Sequence, residues 1–209
     1  MTGIVALIMA GGKGTRFRGK TEKPMALFND KPLIRSVIEA VKEAKKVGEI
    51  YVVVTDYSPK TAQEAEKASV KVISTDGNGY HTDVQQAVKD ANLNCPVMII
   101  SSDLPLLKGK FLDEIIAKYE LSNKPALTVL IPEEAFNIYG LTSVSHYEYN
   151  GKMYAVSGIN IIDGRKILEE QEQEVVITSK PEAVFTVNSI EDLMTTKNYL
   201  KKIKESKSK

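Results

Sequence analysis

Between Leu7 and Met25 the chain reads LIMAGGKGTRFRGKTEKPM. An apolar run gives way to three glycines in four positions and five basic side chains, Lys13, Arg16, Arg18, Lys20 and Lys23. Gly11, Gly12 and Gly14 let backbone approach an anion closely and turn its N–H groups inward. Lys13, Arg16 and Lys23 add full positive charge. The chemistry on offer is phosphate binding. The structural alternative is a tight glycine turn with solvated basic residues. Two features weigh against it: the loop follows an apolar run, and a Lys-Pro pair lies nine residues after Gly14. Two familiar phosphate loops do not fit. A Walker A loop requires Gly-Lys-Ser/Thr, but Lys13 precedes Gly14. A dinucleotide fingerprint requires a small residue three after Gly14, where Phe17 stands.

A second group of residues suits a divalent cation. Asp103 ends the run PVMIISSD, where a carboxylate is poorly solvated without a cation. Mg²⁺ takes only one or two carboxylates, with phosphate oxygens and water completing its shell. Capping the next helix is the other role open to Asp103. Asn188 is a second metal-ligand candidate, its alternative being a strand-end cap. Gly158 falls inside a strand pattern, where glycine is unfavourable unless something approaches closely. A bulky acceptor ring would explain it, and so would a β-bulge. His81 and His146 have no metal-ligating partner at useful spacing, and Cys95 reads as a small packed residue.

These residues need a frame. Residues 3–10, 49–56, 70–76, 96–103 and 125–132 are apolar runs of strand length. Helical spacing covers Leu33–Lys46, 58–68, 81–92 and Gly109–Leu121. The alternation predicts an α/β fold: a doubly wound, mostly parallel sheet with flanking helices. Ligands in such sheets bind beyond the C-terminal strand ends. After Pro132 the period breaks over 133–150. YAVSGINII (154–162) and AVFTVNS (183–189) read as strands, a final helix starts at Ile190, and 201–209 reads as a frayed polar tail. The expectation is one domain over 1–209, with an acceptor-side elaboration around 133–157.

Composition narrows the class. The 209 residues are 43% hydrophobic, enough for a sizeable core. Lys and Arg number 28 against 27 Asp and Glu, so bulk charge gives no reason to expect nucleic acid or a membrane surface. No apolar run approaches the roughly 20 residues of a membrane helix. The start Met1-Thr2-Gly3 lacks a signal-peptide pattern. One cysteine excludes an internal disulfide. A cytoplasmic protein is expected, with oligomeric state open and a homodimer included.

MAGGKGTR followed by EKP resembles the signature of the MobA-like, nucleotide-diphospho-sugar transferase superfamily. The resemblance implies that Ala10, Gly11, Gly12, Lys13, Gly14, Thr15 and Arg16 wrap a triphosphate, with Ser102 on the same side. It also implies that Lys23 reaches the α-phosphate. SSDLPLL matches the Asp loop that carries a metal ligand in such enzymes, and VNSIEDL matches the near-C-terminal segment that ends their catalytic sheet. TDGNGYHTDVQQAV, SSDLPLL and AVSGINII together are similar to the archaeal adenosylcobinamide-phosphate guanylyltransferases. That likeness implies GTP as donor, a phosphorylated corrinoid as acceptor and Gly158 and Asn160 on the acceptor side. The related molybdenum-cofactor transferases share the first loop, the Asp loop and the late Asn segment.

The chemistry expected is nucleotidyl transfer. An acceptor phosphate attacks the α-phosphorus, and pyrophosphate leaves. A phosphate monoester is mostly ionised at neutral pH, its second pKa being about 6, so no general base is needed. Charge neutralisation and in-line positioning remain. Arg16 and Lys23 are the catalytic candidates, with Mg²⁺ as cofactor. Asp76, beside Gly77 and Gly79, could accept from guanine N1–H and its 2-amino group. Thr75, Gly77 and Gly79 could add backbone contacts. The alternative for Asp76 is an ordinary turn residue. Another acceptor (molybdenum cofactor or a sugar 1-phosphate) and a non-catalytic nucleotide-binding module are the competing readings. Arg16, Lys23 and Asp103 are all retained, which weighs against the module.

Overall fold

The computed structural model describes residues 3–17, 21–141 and 145–207. Arg18 and Lys20 of the basic run, residues 142–144 of the expected elaboration, and the chain ends lie outside them. The strands are β1 (Ile4–Met9), β2 (Leu27–Phe28), β3 (Lys31–Pro32), β4 (Val47–Val54), β5 (Lys71–Ser74), β6 (Pro96–Ser101), β7 (Ala126–Pro132), β8 (His146–Tyr149), β9 (Lys152–Asp163) and β10 (Gln173–Ile177). The helices are α1 (Leu33–Glu43), α2 (Pro59–Lys67), α3 (Tyr80–Asp90), α4 (Gly109–Ser122), α5 (Glu133–Tyr139), α6 (Pro181–Val184) and α7 (Ile190–Lys207).

The main sheet runs β10-β7-β9-β6-β1-β4-β5, with β8 paired to β9, and β2–β3 form a separate small hairpin. All main-sheet pairings are parallel except those of β9, which is antiparallel to β6, β7 and β8. The sheet is thus mixed but mostly parallel.

The uninterrupted apolarity of β1 follows from cover on both faces. Ala6 and Ile8 join the large core under α1, α2 and α4. Val5 and Leu7 join a smaller core with Val84, Ala87 and Val88 of α3. On α1 the fully buried Leu33, Ile34, Val37, Ile38 and Val41 recur at helical spacing.

The C-terminal third departs from the sequence expectation. AVFTVNS is not a strand. Pro181 opens the four-residue α6, and Ala183, Val184, Phe185 and Val187 are fully buried as the chain passes Asp103. Their β-branched and aromatic character serves core packing, which periodicity alone does not distinguish from a strand. The strand that closes the sheet is instead β10, whose QEVVI pattern is half polar because it is an edge. The elaboration is the short α5 and the β8–β9 hairpin. Residues 201–207, read as a frayed tail, continue α7.

Candidate active site

A cleft of about 1110 Å³ opens where β1, β4 and β6 end, at Met9, Val53 and Ser101. The loop after β1 forms one wall, and its glycines have different reasons. A Cβ on Gly11 would lie 2.6 Å from Thr55 Cγ2, because Thr55 Oγ1 donates to the Gly11 carbonyl at 2.7 Å. Gly14 has φ +61°, a conformation glycine adopts without strain. Gly12 meets nothing within 4 Å, so no internal packing explains its lack of a side chain. Its surface faces the cleft. Lys13 extends over the Tyr57 ring, 4.8 Å from the centroid. Ala10, Thr15 and Arg16 line the same wall.

Lys23 is positioned from a distance. The carboxylate of Glu22 accepts from the backbone N–H groups of Lys60 and Thr61, each at 2.8 Å, and from Thr61 Oγ1 at 2.6 Å. It therefore satisfies orphan donors at the start of α2. Pro24 on the other side is buried. Lys23, fixed between them, donates to Asp103. Asp103 also accepts from Ser101 Oγ at 2.7 Å. It does not cap α4, whose N-cap is Lys108. The Asp103 carbonyl accepts from Val187 N–H at 2.9 Å, which draws residues 186–188 to the site. Asn188 is held there by a capping box: Asp192 accepts from the N–H of Asn188 and of Ser189 at 2.9 Å, while Ser189 Oγ accepts from Asp192 N–H at 3.0 Å. Ser102, Asp103 and Asn188 all line the cleft.

Opposite the first loop, Thr75, Gly77 and Gly79 also line it, but Asp76 does not. Asp76 is exposed and pairs with Gln86, 3.4 Å from Nε2. The carboxylate on the cleft is Asp83, in the first turn of α3, which accepts from the N–H groups of Gly77 and Asn78 at 3.0 and 3.2 Å. The guanine contact expected of Asp76 is therefore not supported: two residues beyond β5, its side chain lies against Gln86 outside the cleft. The acidic residue seven positions on secures the glycine loop.

Gly158 lines the cleft, yet its own sheet accounts for it. Its φ is +78°, the β7–β9 register shifts beside it, and a Cβ would lie 2.8 Å from Ser101 Cβ. It is a β-bulge glycine pressed on the end of β6, two residues before Asp103. Asn160, next to it, accepts from Thr128 Oγ1 at 2.7 Å.

Tyr80 and His81 join the site. Their rings meet edge to face, 5.5 Å apart. Tyr80 is 44% exposed overall, while protein crowds its hydroxyl end. Burial, then the charge of Asp103, push its pKa up to about 12, with the Asn160 amide offsetting part of the rise. It is a neutral hydroxyl at ordinary pH. Sequence reasoning missed Glu22, Tyr80 and Asp83. For Asp83, an acidic residue in the first turn after a Gly-rich loop was a usable signal.

The mixed sheet, with a glycine-basic loop after β1 and a Lys–Asp pair at the strand ends, defines a nucleotidyltransferase-type α/β fold. A hypothetical transferase from Thermus thermophilus shares it with a TM-score of 0.70, over 92% of this chain and 100% of that one at 16% identity. So does a CMP:2-keto-3-deoxy-manno-octonic acid synthetase complexed with CTP, with a TM-score of 0.68, 97% and 99% coverage and 14% identity. The chain belongs to the MobA-like NTP transferase domain family, whose model matches residues 6–175. It is 32% identical to the adenosylcobinamide-phosphate guanylyltransferase of Methanocaldococcus jannaschii, over 94% of this chain and 97% of that one. It is 30% identical to a probable molybdenum cofactor guanylyltransferase of Thermococcus gammatolerans, over 91% and 97%. The protein is a nucleotidyltransferase by family. Among the described residues no helix is long and apolar enough to cross a membrane.

Proposed function

We propose that the protein transfers GMP from GTP to adenosylcobinamide phosphate and releases pyrophosphate. The observation that carries the reaction type is the division of the cleft. One end has the Gly11–Arg16 loop and the Lys23–Asp103 pair; the other extends over the sheet as far as Gln173. The choice of a corrinoid acceptor is supported by the near full-length likeness to the Methanocaldococcus enzyme. GTP as donor is supported by the two near full-length relatives named above, which are described as guanylyltransferases.

In this reading the backbone of the first loop cradles the triphosphate, with Gly12 in contact. Arg16 and Lys13 swing from solvent and from Tyr57 onto phosphate oxygens. Lys23 exchanges Asp103 for the α-phosphate, where charge develops as the acceptor oxygen attacks. Tyr80 offers a neutral hydroxyl close to that centre. Gly158 and Asn160 remain candidates for the acceptor side. Asp103 and Asn188 would hold Mg²⁺. One carboxylate and one amide facing a phosphate site are hard oxygen donors of the expected kind. Among the described residues there is no group of three or more His, Cys, Asp or Glu to form a self-sufficient cage. When bound, the ion would neutralise charge on the triphosphate.

The test is calorimetry with GTP, ATP, CTP and UTP in the presence of Mg²⁺, followed by a transfer assay. Preference for GTP with GMP transfer to cobinamide phosphate is the expected result. Transfer to molybdopterin instead would favour the second reading, molybdenum-cofactor guanylyltransferase, which the Thermococcus relative supports. Absence of any transfer with GTP bound would favour a binding module.

A further inference from the structure

The Tyr147 hydroxyl accepts from Gln173 Nε2 at 2.8 Å. In a flat sheet these residues could not meet. Tyr147 is on β8 and Gln173 on β10, with β9 and β7 between them, so three strand spacings separate them, about 14 Å. Along the strands, Tyr147 lies opposite Tyr154, which pairs with Pro132, whereas Gln173 pairs with Ala126. That offset is six residues of β7, about 20 Å. The β8–β9 hairpin therefore curls back over the sheet face. The bend has a cause, the bulge at Gly158 where the β7–β9 register shifts. The arch stands over the half of the cleft floored by Thr128, Asn160 and Ile162.

We propose that the Tyr147–Gln173 bond is a gate that sets the size of acceptor able to enter the cleft. The proposal rests on reading this half of the cleft as the acceptor side. A single neutral hydrogen bond biases an equilibrium by only about three- to tenfold. Tyr147 is 39% exposed, so water competes for its hydroxyl. The arch is consequently closed most of the time and opens readily. A small phosphorylated acceptor passes beneath it, whereas a macrocyclic one enters only when the bond is broken.

A thiol on the floor reads the gate without any acceptor. Ile162→Cys, in a Cys95→Ser background that removes the native thiol, is labelled with a small methanethiosulfonate and with a bulky maleimide. Adding Tyr147→Phe or Gln173→Leu should speed bulky labelling about three- to tenfold and leave small-reagent labelling within about twofold. Amide hydrogen exchange over 146–156 supplies the same answer without the reporter cysteine. It should rise in each gate variant and no further in the double variant, because the two residues share one bond. Transfer to cobinamide phosphate should gain in kcat/KM for the acceptor by a similar factor, with GTP affinity unchanged. Unchanged bulky labelling and unchanged exchange in both variants would overturn the gate. A fall in acceptor kcat/KM would also overturn it, making the pair a direct contact. If the parent transfers nothing to cobinamide phosphate while labelling still divides by size, the gate stands and the corrinoid reading fails.

Discussion

Gly11 and Gly12 are adjacent and chemically identical, yet they answer to different forces. A methyl on Gly11 meets Thr55 at 2.6 Å. Gly11→Ala should therefore lower stability by about 1–3 kcal/mol, the usual cost of overpacking. A methyl on Gly12 enters open cleft. Gly12→Ala should leave the melting temperature near that of the parent while weakening GTP binding by about tenfold or more, ~1.4 kcal/mol or above. Thermal melts and calorimetry separate the two, and a Gly12→Ala protein that binds GTP normally would take the loop out of phosphate recognition. Lys23 and Asp103 form a further pair of tests. Lys23→Ala should keep the fold and slow single-turnover transfer about a hundredfold or more, as loss of one transition-state contact does. Asp103→Asn keeps shape but removes charge, so its activity should need more Mg²⁺ and recover only in part. Metal dependence identical to the parent's would place the ion elsewhere. At this scale the sequence was informative where spacing carries meaning: the glycine loop, Lys23, Asp103 and Asn188 all reach one cleft. It was uninformative where a role depends on a partner far along the chain. Glu22 serves residues 60 and 61, and nothing local in EKP announces that.

Among the elements, those covered on both faces or amphipathic at one period were legible: β1, β4, β6, β7, α1 and α4. Strand β9 was legible over 154–162, but β8, α5 and β10 were not, because an edge strand and a two-turn helix bury too little to impose a period. The bulge in β9 was readable only as a pair of alternatives, and the contact with Ser101 accounts for the glycine without any ligand. Gly158→Val consequently disturbs the end of β6, two residues before Asp103. It should impair GTP-site and acceptor functions together, with a lowered melting temperature; loss of acceptor transfer alone would restore a direct ligand contact. The turn after β9 gives a pH test. Arg165, hydrogen-bonded to Asp163 at 2.7–3.2 Å, holds that carboxyl below its ordinary value against the opposing effect of burial. A folded-state pKa below the unfolded one contributes stability above about pH 4 that is lost as pH falls through the folded value. Urea midpoints of the parent should thus drop more between pH 6 and acid than those of Asp163→Asn. Equal drops would show that the pair is solvated away.

Across the whole molecule, β9 lies between β6 and β7 while running against both. Emergence from the ribosome follows chain order, and this topology then imposes a schedule. Strands β1, β4, β5 and β6 can find their neighbours once residue 101 is free, so the glycine loop, Lys23 and Asp103 come together early. Strand β7, already made, has no place to dock until 152–163 arrive, because its neighbours are β9 and β10. Meanwhile β6 presents a bare edge of unpaired backbone, the feature that invites misassociation in nascent chains. A half-made chain would thus hold a phosphate-binding end before any of the walls that choose an acceptor. Nucleotide in the cell could brace that early half while the rest is still being synthesised.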